Sequence, residues 1–371
     1  MADEVKLPWY KRINEKWVNW ALTVLLTVVV GYLLGRPATP IPTPPDEPIF
    51  GGWVKNDDAV REVRQGLPTP FFADTEAGKD DIFGTPESVY LWKAQVKVTG
   101  SLLGPYDQNP VGSCVAFGTT YATEASLCVA ISQGDMQEFR SFSREIVYGG
   151  SRVQIGKGRI RGDGSVGAWA AQFVNEFGNL PRDRYDGYDL REYNPSTCRE
   201  FGARGVPAAL LPKTKDYPVQ GIAQVRNVGE ARKALANGYA IAVCSSQGFT
   251  RQRDADGFCR ASGIWQHCMA IDGYQSGRRP GFHVVNSWGG NYHTGPTGAG
   301  EPNSAGFWAD EATVDRMLSQ GDSWAFSGVK GFKKNKLPPW FVRHEPTIRP
   351  LEFQPFARFE KKENVNYALG I

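Results

Sequence analysis

Hydrophobic residues are distributed along this chain in three ways. Residues 17–35, WVNWALTVLLTVVVGYLLG, carry no charge; as a helix they would reach about 28 Å, close to the roughly 30 Å hydrocarbon core of a bilayer. The pattern predicts a single transmembrane helix with Trp17 and Trp20 at one interface and Tyr32 at the other. A cleaved signal peptide is the main rival, but Leu34-Gly35-Arg36-Pro37 offers no small-x-small cleavage site; a buried core helix is the other. Residues 36–48 then hold six prolines in thirteen positions, a composition that favours a polyproline II stalk of roughly 40 Å. From 49 to 83 the text is turn-rich, as at Gly51-Gly52, and has no sustained period, so this stretch is an unassigned linker.

Regular periods begin after Gly112. Residues 114–129 read as a helix with Ala122, Ala125 and Val129 on one face, and Ser143 is positioned to cap a second helix through Tyr148 to Gly149. A third helix starts near Ser165 and puts Val166, Trp169, Ala170, Phe173, Val174 and Phe177 on one stripe before Gly178 stops it. A short fourth spans 229–237. The period then changes to strands at 239–244, 268–274, 282–288, 306–308 and 323–327. Helices come first and strands later without βα alternation, so the fold class is α+β, a helical half and an antiparallel sheet half.

Composition narrows the function classes. Apolar residues at 41% and charged residues at 22% suit a folded, mostly soluble chain. The net charge of +3 is too small to suggest a nucleic-acid partner, and it is concentrated in a tail, 329–371, where Trp340, Phe341, Phe353, Phe356 and Phe359 lie among basic residues. Such a tail wraps its own domain or meets a partner subunit. Lys6, Lys11, Arg12 and Lys16 precede the apolar span and only Arg36 closely follows it, so the positive-inside rule leaves 1–16 as a short cytoplasmic N-terminus and the rest outside, periplasmic or extracellular. No C-x-x-C or H-E-x-x-H occurs, so no metal or other cofactor is expected.

All six cysteines fall between Cys114 and Cys268. Gln108-Asn109-Pro110-Val111-Gly112-Ser113-Cys114 is an irregular loop that delivers Cys114 to a helix start, where unpaired N–H groups and the dipole favour the thiolate. Gln108 is placed to donate, with the Cys114 N–H, to a developing oxyanion. Of four histidines, His267 opens the strand 268–274 and is the natural base; Asn286, on the strand that would pair with it, can fix its tautomer. His283 is expected to face solvent or pack, and His293 lies in a Gly-rich loop.

These residues carry a resemblance. QNPVGSCVAF (108–117) resembles the nucleophile segment of papain-family (C1) cysteine peptidases, QHCMAIDGY (266–274) their histidine strand, and VVNSWGGNY (284–292) their asparagine segment, in the same order. Gly162-Asp163-Gly164-Ser165 is similar to the segment lining the family's substrate cleft, Pro86-Glu87-Ser88-Val89 to a mature start, and 306–308 and 323–326 to the closing strands; the likeness covers 84–328. The resemblance implies a two-lobed fold, with Cys114 as nucleophile, His267 as general acid/base, Asn286 as its orienter and Gln108 as oxyanion donor. It also implies a shield in Trp288 and a cleft lined by Gly112, Ser113, Asp163, Gly164 and Gln266, with Gly164 offering backbone to an extended substrate.

The chain departs from the family at several points. Val115 replaces the usual Trp, and Val111 stands where many members have a half-cystine. The five cysteines besides Cys114 cannot all pair, although Cys244 with Cys259 is conceivable. The stretch 49–83 is short for an inhibitory propeptide and lacks its helical pattern, which argues against zymogen control. The implied function is thiol-dependent hydrolysis of protein or peptide substrates by a membrane-anchored enzyme. The alternatives are a papain-fold assembly or binding protein, virion- or envelope-associated, and a cell-wall amide hydrolase. Taken singly, Cys114 could be a buried hydrophobe, His267 a core histidine, and Gln108 and Asn286 turn formers; it is the ordered set that points to a cleft.

Overall fold

The computed structural model describes residues 51–79, 87–135, 137–300, 302, 304–328 and 331–342. The expected membrane helix at 17–35, the stalk at 36–48 and the tail beyond 342 lie outside the described residues. Within 49–83 a helix forms, α1 (Asp57–Gln65), capped by Asn56, whose side chain accepts the Ala59 N–H at 2.9 Å, with Asp57 and Asp58 at the positive end of its dipole. Only Ala59, Val60 and Val63 of this helix are buried, too narrow and interrupted a stripe to stand out as a period.

The helical half comprises α2 (Trp92–Thr99), α3 (Cys114–Ser132), α4 (Arg144–Gly149), which runs on into a π-type turn at 150–155, α5 (Gly167–Glu176) and α6 (Pro195–Arg204). Among the described residues α3 alone is long and apolar enough to cross a membrane, but 83% of its apolar window is buried inside the protein. It is apolar on every face because elements pack all round it, as expected of a central helix. One polar tie holds it to α4: fully buried Glu124 pairs with fully buried Arg144 at 2.7 Å and also accepts the Phe142 N–H, while the Arg144 guanidinium lies 3.8 Å over the Tyr106 ring.

The sheet half is one antiparallel sheet, β1 (Ser88–Tyr90), β2 (Gly221–Gln224), β3 (Ile241–Phe249), β4 (Ala261–Gln275), β5 (Gly281–Val285), β6 (Gly306–Asp310) and β7 (Asp322–Ser327), ordered β2-β7-β3-β4-β5-β6 with β1 on β4. Helices α7 (Val228–Ala236) and α8 (Glu311–Leu318) connect strands. The expected hairpin is present: β4 and β5 pair through Gln275↔Gly281. The described start of the tail packs on its own domain. Phe332 meets Phe72 and Tyr239 at ring-centroid distances of 5.3 and 4.9 Å, and Phe341 is buried.

Candidate active site

Cys114 is the first residue of α3, and His267 and Asn286 stand opposite it on β4 and just past β5. The imidazole side is connected through His267 Nε2. His267 Nε2 lies 2.8 Å from Asn286 Oδ1, and the Asn286 amide is oriented because the same oxygen accepts the Ser287 N–H at 2.7 Å. Its Nδ2 then points to His293 Nε2 at 3.2 Å, which makes that nitrogen the acceptor and leaves the proton on Nδ1, near the Arg251 carbonyl (3.3 Å) and Cys259 Sγ (3.5 Å). His293 was the histidine least marked by the sequence, because nothing in a Gly-rich loop signals that it closes back on Asn286. The Trp288 ring lies 4.4 Å from the His267 ring at 31°, a lid over the His–Asn pair, with Trp265 and Tyr292 packed behind it. Burial lowers the His267 pKa to about 4 against the favourable Asn286 bond, and burial together with Arg253 lowers His293 to about 3. Both rings are neutral at pH 7. His267 Nδ1 has no hydrogen-bond partner.

The sulfur side is covered. Cys114 is fully buried, and its Sγ accepts the Cys268 N–H at 3.4 Å. Burial raises its pKa well above the ordinary thiol range, Cys268 adds to the rise, and the N–H groups of Cys268, Gly52 and Val115 oppose it without winning. Cys114 and His267 form no hydrogen bond with each other: the sulfur accepts the Cys268 N–H and His267 Nδ1 is unpartnered.

The cover is the chain's own segment 51–54. Gly52 and Trp53 donate their N–H groups to the Gln266 carbonyl at 2.8 and 3.0 Å, Val54 donates to the Ser165 carbonyl at 2.9 Å, and Ser165 donates back to Gly52 at 2.8 Å. This strap pairs in parallel with Ser165. The Gly-Gly pair is required by close approach: a Cβ on Gly52 would lie 2.0 Å from the Gly112 carbonyl oxygen, and one on Gly51 2.6 Å from that of Gln266. Trp53 anchors the strap. It is 3% exposed, and its indole donates to Asp322 Oδ2 at 2.8 Å; the buried Asp322 carboxylate also accepts the Gly167 N–H and the Trp324 indole N–H. The group the strap presents to the sulfur is an amide N–H, and an N–H gives a nucleophile nothing to attack. A short segment with no helical signature thus fills the cleft, so the lack of a propeptide pattern does not by itself leave the cleft open.

The remaining residues named from sequence fall into two groups. Gln266 and Gly112 line the strap directly, and Asp163 accepts the Gly112 N–H at 3.1 Å. Gly164, expected to offer its backbone to an extended chain, also lies against the strap, where a Cβ would come within 3.0 Å of the Gly52 carbonyl oxygen. Its own N–H, however, donates to the Tyr148 hydroxyl at 3.0 Å and its carbonyl accepts from Arg152, so the backbone rung to the strap is made by Ser165. Ser113 is buried beneath the loop, with Oγ 3.3 Å from the Tyr193 hydroxyl. Gln108 is buried next to the Cys114 loop. Its Nε2 donates to the Val111 carbonyl at 3.0 Å, and its Oε1 accepts from Ser287 at 2.6 Å, which ties it to the residue after Asn286. His283, expected at a surface or in packing, is buried on β5 with Nδ1 2.6 Å from Asp272. Cys244 meets Cys268, and Cys259 meets His293, so the conceivable Cys244–Cys259 pair is not formed.

No family model matches the chain, and no curated protein matches it by sequence. Among solved structures it is similar to xylellain, a cysteine protease from Xylella fastidiosa, at 18% identity and a TM-score of 0.51, over 76% of this chain and 97% of that one. A digestive procathepsin L 3 of Tenebrio molitor larval midgut aligns at 14% identity and a TM-score of 0.47, over 84% and 90%. The chain has a papain-like fold.

Proposed function

We propose that the chain is a thiol-dependent peptidase, anchored by residues 17–35 with its catalytic domain outside the cytoplasm, whose cleft is closed by its own residues 51–54. The observation that carries this is the wiring of His267: Nε2 is committed to Asn286 while Nδ1, under the Trp288 lid, is uncommitted. An imidazole held in this way has one nitrogen free to serve the sulfur once the strap leaves. In the reaction Cys114 Sγ attacks the substrate carbonyl carbon as His267 Nδ1 takes the thiol proton. The oxyanion is met by the Cys114 N–H and the Gln108 amide, after the latter turns from Val111. His267 returns the proton to the leaving amine, giving a thioester and a free N-terminus. Water, deprotonated by His267, then releases the acid and restores the thiol.

A papain-fold binding or assembly protein is the second reading, and the filled cleft favours it. The assay that decides is hydrolysis of a quenched fluorescent peptide mixture by the full chain and by its Gly52→Val variant, in which the added side chain cannot fit beneath Gly112. The peptidase reading expects turnover in the variant that disappears on adding Cys114→Ala; absence of turnover in both proteins would favour binding. Release of amines from purified peptidoglycan, with no cleavage of peptides, would instead indicate cell-wall amide hydrolysis.

A further inference from the structure

Behind the catalytic strand lies a sulfur pair that the peptidase chemistry does not use. Cys244 on β3 and Cys268 on β4 are direct cross-strand partners, so both side chains leave the same face of the sheet. Both are fully buried, and their sulfurs lie 2.6 Å apart. The helices above leave room for them. A Cβ on Gly118 of α3 would come within 3.0 Å of Cys268 Sγ, and one on Gly167, at the start of α5, within 2.7 Å of Cys244 Sγ. Two helices thus place a glycine directly over each sulfur. Of the other four described cysteines, Cys259 meets His293 and Cys114 accepts the Cys268 N–H.

We infer that Cys244 and Cys268 form a cross-strand disulfide that ties the strand carrying His267 to its neighbour. The bond forms by exchange with a disulfide oxidant, either a small-molecule disulfide or the active-site disulfide of an oxidoreductase. The Cys244 thiolate attacks one oxidant sulfur and releases one thiol. The Cys268 thiolate then attacks Cys244 Sγ, breaks the mixed disulfide and releases the second thiol, so two protein S–H bonds become one S–S bond and the oxidant gains two S–H bonds. Because both sulfurs are covered in the folded domain, exchange precedes closure of α3 and α5 over the sheet, and the finished bond is shielded from reductants. An exported domain meets such oxidants during folding. The link also removes from the vicinity of Cys114 a second thiol that could compete with it. The inference stands whether or not the chain hydrolyses peptides.

The test is peptide mapping of the full chain recovered from an oxidising compartment, denatured in N-ethylmaleimide without reductant and digested. The expected result is one linked peptide joining Cys244 and Cys268, with the other four cysteines alkylated, and persistence of that link after native-state treatment with dithiothreitol. A double Cys244→Ala/Cys268→Ala variant is expected to melt about 6 to 12 °C lower, the effect of closing a loop of roughly 25 residues in a domain of this size. Six alkylated cysteines, or a link that involves Cys114, would overturn the inference, and neither result needs the variant to fold.

Discussion

The two walls of the cleft are prepared to different degrees. The sheet wall is finished: His267, Asn286, Ser287 and His293 form one hydrogen-bonded series with Trp288 over it, and each member fixes the tautomer or orientation of the next. The helical wall holds a buried thiol whose pKa is pushed up by burial and by Cys268, whose sulfur accepts the Cys268 N–H at 3.4 Å, and against whose rise the strap's Gly52 N–H works. On the proposed reading, the orientation of the base is built into the fold, whereas the reactivity of the nucleophile depends on whether residues 51–54 are in place.

The comparison can be broken most severely at the sulfur. In the Gly52→Val background, where the cleft is open, Cys114→Ala is expected to remove all peptide hydrolysis, a loss of about 10⁴-fold or more, with little change in melting temperature; hydrolysis persisting at the rate of that background would rule out Cys114 as the nucleophile. Next in size, Gly52→Val or Trp53→Ala is expected to expel the strap and raise the rate of Cys114 alkylation by iodoacetamide about 100-fold at pH 7, as burial of the thiol is relieved. Equal rates in the parent chain and both variants would show that the strap does not control the thiol.

On the sheet wall the effects are smaller. Asn286→Ala should lower kcat by roughly 10- to 100-fold with KM little changed, since it releases a ring orientation that acts in the transition state. His293→Leu should lower kcat about 10-fold, and His293→Gln, which can still accept from the Asn286 amide, should restore most of it; a Gln variant as poor as Leu would reduce His293 to packing. The smallest effect is on stability. His267 has a folded pKa of about 4, against an ordinary value of 6.5, so between those values the unfolded chain binds the extra proton. The His267 contribution is therefore full above pH 6.5, falls as the pH drops toward 4 and loses no more below that, while His293, lowered to about 3, adds a parallel fall that continues to about pH 3. Thermal melts from pH 7 to pH 4 should show this fall, and it should shrink in His267→Gln.

Much of both walls was legible in the sequence because their residues sit in a helix or strands whose periods and motifs are strong: on the helical wall 114–129 against the observed Cys114–Ser132, and on the sheet wall the β4–β5 hairpin that brings Asn286 to His267. The strap was not legible. Its hold comes from backbone hydrogen bonds and from the absence of side chains at Gly51 and Gly52, and neither leaves a hydrophobic period. The Ser165 rung was misplaced by one residue because Tyr148 and Arg152, distant in sequence, occupy the Gly164 backbone. His293 and Asp322 gain their roles only through long-range closure, from a loop and from the first residue of the last strand.

The most direct test of the account is the pH dependence of Cys114 alkylation in the Gly52→Val chain, read by mass at that residue. Modification faster than that of a free cysteine at pH 6, with the excess rate lost in His267→Ala, is expected, because the liberated thiol shares its proton with His267. A rate no faster than free cysteine that climbs steadily with pH and levels off only above about pH 8.5, the ordinary thiol pKa, would contradict it.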